Sequence, residues 1–140
     1  MTTNQKHIFR RLRTIRNKAI APYSQFRVAA IVQTREGKLY SGHNIESSSY
    51  GLTICAERVA IFKALSEGER KFAEIHILAE GKEFCPPCGA CRQILMDFAP
   101  AIRIILYNQS GECKTYKIKE LLPDAFTSKR LIKSSPKNRK

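Results

Sequence analysis

Three segments of the chain have the apolar spacing or the composition of helices. The predicted helices cover residues 4–20, 55–66 and 88–98. In the first helix, Ile8 and Leu12 lie on an apolar face and arginines occupy the other side, so the apolar face is expected to pack on the core. Thr3 or Asn4 is expected to cap this helix, and Pro22 to end it.

Apolar runs between and after these helices predict strands at residues 26–34, 39–45, 75–79, 102–107 and 114–118. Short turns at residues 35–38 and 108–112 join the first two and the last two strands as antiparallel hairpins. Strands that alternate with helices imply a parallel section with right-handed crossovers, which predicts an α/β domain. The second and third helices would then begin at one edge of the sheet, where the catalytic sites of such sheets lie.

At 140 residues the chain is long enough for one domain with a full core, which we place at residues 1–128. Residues 129–140 form a basic tail without periodicity and are expected to be disordered. The sequence has no run of 18 apolar residues and no secretory signal pattern, so no membrane span is expected. Five cysteines, an odd number, fit a reduced, cytoplasmic setting.

The net charge of +13 is concentrated at the two ends of the chain. Residues 36–128 contain 11 Lys/Arg and 12 Asp/Glu, and no acidic residue precedes Glu36 or follows Asp124. The basic ends permit contact with nucleic acid or another polyanion. A solvated helix face followed by a tail is the simpler interpretation, and the sequence favours it.

Three cysteines and one glutamate have the spacing of a catalytic zinc site. Cys88 and Cys91 are three residues apart at the start of a predicted helix, so both thiols lie on one face, and Cys55 begins another helix. Catalytic zinc usually takes three protein ligands and leaves the fourth position to water. Glu57 can reach that water without binding the metal, and this combination is the signature of zinc-dependent deaminases.

A lone Cys-x-x-Cys pair also occurs in redox proteins and in structural zinc sites. Cys85 is a candidate fourth ligand for a structural site, and its spacing to Cys88 and Cys91 also occurs in iron–sulfur proteins. Two prolines stiffen the segment after Cys85, and neither alternative explains Glu57. His76 lies within a predicted strand and is expected to be structural.

Asn44 and Glu46 lie on one face at the end of a predicted strand. Polar residues in this position hold the hydroxyl groups of a ligand or cap a loop. The residues alone leave both interpretations open.

Over residues 8–128 the chain resembles the small homotetrameric cytidine deaminases. The segments that carry the resemblance are PYSQFRV (22–28), GHNIES (42–47), YGLTICAER (50–58), PCGACRQ (87–93) and ELLP (120–123). The Cys-Ala-Glu and Pro-Cys-x-x-Cys motifs mark the superfamily, whereas Asn-x-Glu and Cys-Ala-Glu-Arg indicate nucleoside deaminases. The resemblance implies a three-layer α-β-α fold with a five-stranded mixed sheet and helices on both faces.

The resemblance implies a metal centre and a proton carrier. Cys55, Cys88 and Cys91 would bind one Zn²⁺ per subunit, and Glu57 would carry protons between water and the base. Three thiolates leave the zinc environment negative, so a permanently charged donor such as Arg58 next to the sulfur atoms would offset that charge.

The resemblance also implies the residues that bind the substrate. Phe26 would pack against the base, Asn44 and Glu46 would hold the sugar hydroxyls, and Ala56 would line the site. In addition, Tyr50 and Phe126 would reach the site of a neighbouring subunit, which implies a homotetramer with shared sites. Cys85-Pro86 departs from the apolar-Ser pair usual in the family, which leaves the loop geometry open.

The implied function is zinc-dependent hydrolytic deamination of cytidine and 2′-deoxycytidine in pyrimidine salvage. A polynucleotide cytosine deaminase would use the same chemistry on an extruded base, and the basic ends favour it. Such enzymes generally place a crossover helix between the last two core strands, and the turn at 108–112 is too short for one. Asn44 and Glu46 together indicate a ribose, which disfavours a blasticidin-S-type deaminase. A non-enzymatic zinc module that binds RNA through its ends is the last alternative.

Overall fold

The computed structural model describes residues 1–131, which form one five-stranded sheet with helices on both faces. The helices are α1 (Thr3–Arg16), α2 (Ala56–Ser66), α3 (Gly89–Phe98) and α4 (Ile118–Leu121). The strands are β1 (Val28–Thr34), β2 (Leu39–His43), β3 (Phe72–Ala79), β4 (Arg103–Tyr107) and β5 (Cys113–Lys117). Residues 132–140, most of the predicted tail, lie outside the described residues.

The sheet has the strand order β2-β1-β3-β4-β5. Only β3 and β4 pair in parallel within it, and the other three pairs are antiparallel. The parallel pair is the one that α3 connects, because parallel neighbours need a crossover of a dozen or more residues. This mixed sheet confirms the predicted α/β fold and both predicted hairpins.

Strand β1 contributes to a separate core on each face of the sheet. Ala30 and Val32 pack in the core that includes Ala60 of α2 and Leu95 of α3. The alternate residues, such as Ile31, pack in the core that includes Ile8 and Leu12 of α1. The continuous apolar run of β1 follows from this arrangement, since successive side chains of a strand point to opposite faces and both faces are covered.

The ends of three helices differ from the prediction. Helix α1 is capped by Thr2 rather than Thr3 or Asn4, because the Thr2 hydroxyl accepts from the backbone N–H of Gln5 while Gln5 Oε1 accepts from the Thr2 N–H. It ends at Arg16, well before Pro22. Helices α2 and α3 each begin one residue after the cysteine predicted to start them, so that cysteine is the N-cap.

His76 has the structural role predicted for it. Its side chain is buried in β3, and Nδ1 lies 2.8 Å from the hydroxyl group of Tyr107 on the adjacent strand. Burial lowers the pKa of His76 to about 4, which keeps the ring neutral near pH 7 and free to accept from the Tyr107 hydroxyl. His76 therefore joins β3 to β4 within the core.

None of the helices in residues 1–131 combines the length and the apolar character that crossing a membrane requires.

Gly42 sets how closely α2 approaches the sheet. A Cβ atom at this position would lie 2.6 Å from the backbone nitrogen of Ala60 and 2.7 Å from the carbonyl oxygen of Ala56. Both neighbours are helix backbone, so the helix would have to move as a unit. Because Cys55 and Glu57 lie at the start of α2, this contact also fixes their position.

We expect Gly42→Ala to lower the free energy of unfolding by about 1–3 kcal/mol, the usual cost of overpacking. Urea denaturation followed by circular dichroism measures the change. Gly51→Ala is the matched control, since a Cβ at Gly51 meets no atom within 4 Å and its φ is not positive. Equal stability of the two variants would contradict the close packing of α2 on β2.

Candidate functional site

The first turns of α2 and α3 bring three cysteines together from two distant parts of the chain. The Sγ atoms of Cys55, Cys88 and Cys91 all lie within 4.8 Å of one another. The distance from Cys55 to Cys88 is 3.7 Å, and that from Cys88 to Cys91 is 3.5 Å. Both helices lie on the same face of the sheet, so their N-termini supply one cluster.

The three thiols cannot all be ionised at these separations without a cation. Without a metal ion, the nearby Cys91 thiol and the guanidinium of Arg58 lower the pKa of Cys55 to about 5, against the effect of burial. The nearby Cys55 sulfur, together with burial, raises the pKa of Cys91. One thiolate is therefore stable alone, whereas three require a multivalent cation.

The donor set fits a catalytic zinc ion. Zinc binds cysteine thiolates tetrahedrally, and a site with three protein ligands leaves one position open. Within residues 1–131 the cluster consists of Cys55, Cys88 and Cys91 and does not include Cys85. This result disfavours the four-cysteine structural site that the spacing of Cys85 had left open.

Arg58 lies beside the cluster in the position expected of a charge-balancing residue. Its Nη2 donates a hydrogen bond to Cys55 Sγ at 3.4 Å. The thiolate partner raises the pKa of Arg58 further above its already high value, so its charge is permanent.

Glu57 is a buried carboxyl group next to the three sulfur atoms. Its side chain is 5% exposed, and it lies in the first turn of α2. In the metal-free chain, burial raises the pKa of Glu57 to about 7, while its own backbone N–H opposes the shift and the Cys55 charge adds to it. A carboxyl group in this environment exchanges a proton readily near neutral pH.

A cavity of about 310 Å³ opens in front of the cysteines and Glu57. Seven of the predicted site residues line it, namely Phe26, Asn44, Glu46, Cys55, Ala56, Glu57 and Cys88. Cys85 and Pro86 also line it, so the unusual pair forms part of its wall. Burial raises the pKa of the Cys85 thiol, which is consistent with a neutral wall residue.

Asn44 and Glu46 both cap loops and line the cavity. The side-chain amide of Asn44 accepts from the Val28 N–H at 2.9 Å and donates to the Phe26 carbonyl at 2.8 Å. Glu46 accepts from the backbone N–H of Ser24 at 3.1 Å and from the Ser24 hydroxyl, which lowers the pKa of its carboxyl group. The loop-capping interpretation is therefore confirmed for both side chains, whereas binding of ligand hydroxyls stays a prediction for two residues that line the cavity.

Tyr50 and Phe126 lie outside this cavity in the single chain. Tyr50 is 73% exposed and packs on Tyr23 with ring centroids 5.5 Å apart, beside an adjoining cavity of about 360 Å³ that also contacts Glu46. Phe126 is 57% exposed, and its carbonyl accepts a hydrogen bond from Gln93 Nε2 at 2.9 Å. The fold thus does not bring these two residues to the site of their own chain.

Two residues that support the site were not among the predicted ones. Ser24 holds the Glu46 carboxylate, as described above. Arg92 donates from Nε to the Pro87 carbonyl and from Nη1 to the Leu121 carbonyl, both at 2.7 Å, which fixes the segment before Cys88 against α4. No local spacing distinguishes either residue, because their partners lie far away in the sequence or on the backbone.

Comparison with known proteins gives consistent matches over most of the chain. Residues 2–107 match the family model described as the cytidine and deoxycytidylate deaminase zinc-binding region. Cytidine deaminase of Halalkalibacterium halodurans is 46% identical over 114 residues, which cover 81% of this chain and 86% of that protein. The corresponding protein of Sporosarcina psychrophila is 40% identical over 117 residues, which cover 83% and 86%.

A solved structure is similar over nearly the same length. The crystal structure of cytidine deaminase from Burkholderia pseudomallei superimposes with a TM-score of 0.83 at 41% identity, covering 90% of this chain and 100% of that chain.

We expect Cys88→Ala to lose most of its bound zinc, because two thiolates hold the ion far less tightly than three. Zinc content per chain, measured by mass spectrometry of the purified protein, checks this. Cys113→Ala is the matched control, since this thiol lies in β5, outside the cluster, and should retain the full content. Full zinc retention in Cys88→Ala would remove Cys88 from the ligand set.

Proposed function

The chain belongs to the cytidine and deoxycytidylate deaminase family, and on that basis we propose that it hydrolyses cytidine and 2′-deoxycytidine to uridine and 2′-deoxyuridine. The reaction consumes one water molecule and releases one ammonia. The observation that carries the proposal is the buried Glu57 beside three cysteines at one cavity. This reaction is that of an enzyme of pyrimidine nucleoside salvage.

Cys55, Cys88 and Cys91 would hold the zinc ion. When bound, zinc lowers the pKa of a water molecule toward neutrality and supplies the nucleophile for hydrolysis. Arg58 offsets the negative charge of the ligands through its hydrogen bond to Cys55.

Glu57 acts as the proton carrier in this proposal. It accepts a proton from the nucleophilic water and delivers it to N3 of the pyrimidine, which makes C4 more electrophilic. After attack at C4, Glu57 takes the remaining proton from the hydroxyl group added at C4 and passes it to the amino group, so that the C4–N bond breaks, a C4 carbonyl forms and ammonia leaves. Burial keeps the carboxyl group next to the reacting atoms and away from bulk water.

The walls of the cavity bind the nucleoside. Phe26, which is 42% exposed in the chain, packs against the base, and Ala56 lines the other side. Asn44 and Glu46 contact the sugar hydroxyls through hydrogen-bonding capacity that their loop contacts do not use. The Asn44 amide has a second N–H and a second lone pair on its oxygen, and each carboxylate oxygen of Glu46 has more than one lone pair. The volume of about 310 Å³ is at the lower end for a small-molecule site, which suits a free nucleoside.

The antiparallel β4–β5 hairpin supports a nucleoside over a polynucleotide as the substrate. Strands β4 and β5 pair directly from Arg103–Lys117 to Tyr107–Cys113, and residues 108–112 join them. No crossover helix of the kind expected in polynucleotide deaminases separates these two strands. Asn44 and Glu46 at the cavity also favour a ribose over the group recognised by blasticidin-S-type enzymes.

We expect purified, zinc-loaded protein to convert cytidine and deoxycytidine rapidly, which is measured by the fall in cytosine absorbance. Glu57→Gln should retain zinc and lose about 10³-fold in turnover, because only the proton carrier is removed. A single-stranded oligonucleotide assayed for uracil should stay unedited. Edited oligonucleotide with inert nucleosides, or an active, zinc-replete Glu57→Gln variant, would overturn the proposal.

The protein is further proposed to be a homotetramer with sites shared between subunits. The cavity is open, and aromatic side chains that do not reach it remain exposed, including Tyr50 and Phe126. Exposed apolar groups around an open site are typical of an interface between subunits.

A cytoplasmic location is proposed as well, since all five cysteines lie in residues 1–131 and none of them forms a disulfide there.

Mixed assemblies test the shared site. Glu57→Gln and Phe126→Ala should each be strongly impaired alone. Co-expressed, they should regain activity in about a quarter of the sites, because random assembly pairs an intact Glu57 with an intact Phe126 from another subunit at that frequency. Gel filtration checks the assembly state. No recovery in mixed assemblies, or a fully active Phe126→Ala variant, would contradict a site shared through Phe126.

A further inference from the structure

Helix α1 presents a basic surface to solvent. We define the α1 basic surface as Lys6, Arg10, Arg11 and Arg13 of the helix together with Lys18, two residues after its end; all five are exposed. The ion pairs found in residues 1–131 involve Arg27, Lys38 and Arg103, and the neutral His76 lies beside Glu74, so no carboxylate within this part of the chain neutralises the surface. A cluster of unneutralised cations raises the local concentration of anions.

Part of this surface is concave. A groove of about 380 Å³ lies between α1 and β2, and Arg10, Arg11 and Lys18 line one side of it, with Ser41 of β2 on the other. His7 and Thr14 complete the polar lining. Three cations and several hydrogen-bond donors around one groove match the charge and the oxygen atoms of a phosphate group.

The α1 basic surface is on the opposite side of the sheet from the catalytic cavity. Ile8 and Leu12 attach α1 to one face, whereas α2 and α3, which carry the cysteines, cover the other face. An anion bound at α1 therefore leaves the cavity free. The exposed aromatic side chains proposed to meet other subunits are also remote from α1 in the sequence, at Tyr50 and Phe126.

We propose that the α1 basic surface binds the phosphate backbone of nucleic acid, in a binding function separate from catalysis. The basic residues of the helix run from Lys6 to Arg13, about 10 Å along its axis, and Lys18 lies beyond its end, so the surface can contact more than one phosphate of one strand. The bound strand is a partner that places the enzyme on RNA or DNA, and it does not enter the cavity.

Two other anionic partners fit the surface less well. Insertion into a membrane surface needs an exposed apolar face, whereas Ile8 and Leu12 of α1 are buried against the sheet and Phe9 and Ile15 are half-buried. Protein interfaces usually have apolar anchors at their centre, and no large hydrophobic side chain is exposed between Lys6 and Lys18. A regular array of phosphates needs neither feature.

Fluorescence anisotropy with a labelled 20-nucleotide oligouridine, which contains no cytosine to react, tests the proposal. The full chain should bind it in about 100 mM salt, with an affinity that falls steeply as salt rises. Replacing Arg10, Arg11 and Lys18 together by Gln should weaken binding at least about tenfold and reduce the slope of log K against log salt by about 2.

The matched control replaces Arg35, Lys71 and Lys119 by Gln, which removes the same charge from exposed positions outside α1. This variant should bind almost as tightly as the wild type, and both triple variants should deaminate cytidine at the wild-type rate. The single variant Arg10→Gln provides a milder change if the α1 triple variant folds poorly, and should weaken binding several-fold relative to Arg35→Gln.

Absence of binding, or equal weakening by the α1 and control variants, would overturn the proposal. Stronger binding of poly-glutamate or of phosphatidylserine vesicles than of oligouridine would also overturn it, in favour of a protein or a membrane partner. The deamination assay is independent of these results, so a failure here does not bear on the proposed catalytic activity.

Discussion

The mutual repulsion of three thiolates is the constraint on which this structure depends. Cys55, Cys88 and Cys91 lie so close together that only a bound cation allows all of them to ionise. The fold supplies this cluster by starting two helices at one edge of one sheet, with each N-cap position taken by a cysteine. Helix N-termini favour negative charge, so the backbone supports the thiolates, and Arg58 adds a full positive charge.

The residues around the cavity combine structural and functional contacts. Asn44 holds the backbone at Phe26 and Val28, and Glu46 holds the loop at Ser24, yet both side chains remain part of the cavity wall. These contacts hold the wall in place, because movement of Asn44 would break a buried hydrogen bond to the Val28 N–H and movement of Glu46 would release the loop at Ser24. A substrate would therefore meet a preorganised site.

The two faces of the sheet carry residues of different chemical character. The face covered by α2 and α3 carries the cysteines, the buried glutamate and the cavity, whereas α1 covers the other face and carries unneutralised positive charge. The apolar side chains of β1 point alternately to one face of the sheet and to the other. A polyanion and a nucleoside can consequently bind the same chain without competing for the same atoms.

The sequence alone determined the α/β class, the cysteine cluster and Glu57, because helical spacing and helix starts are local properties. The sequence analysis placed the N-cap of α1 at Thr3 or Asn4 instead of Thr2, and the end of the helix at residue 20 instead of Arg16. Helix ends are hard to predict because a cap depends on particular hydrogen bonds, such as that between Thr2 and Gln5. Only the tertiary structure decided the loop contacts of Asn44 and Glu46 and the exposure of Phe126, because their partners lie 16 or more residues away and meet only when the sheet has formed.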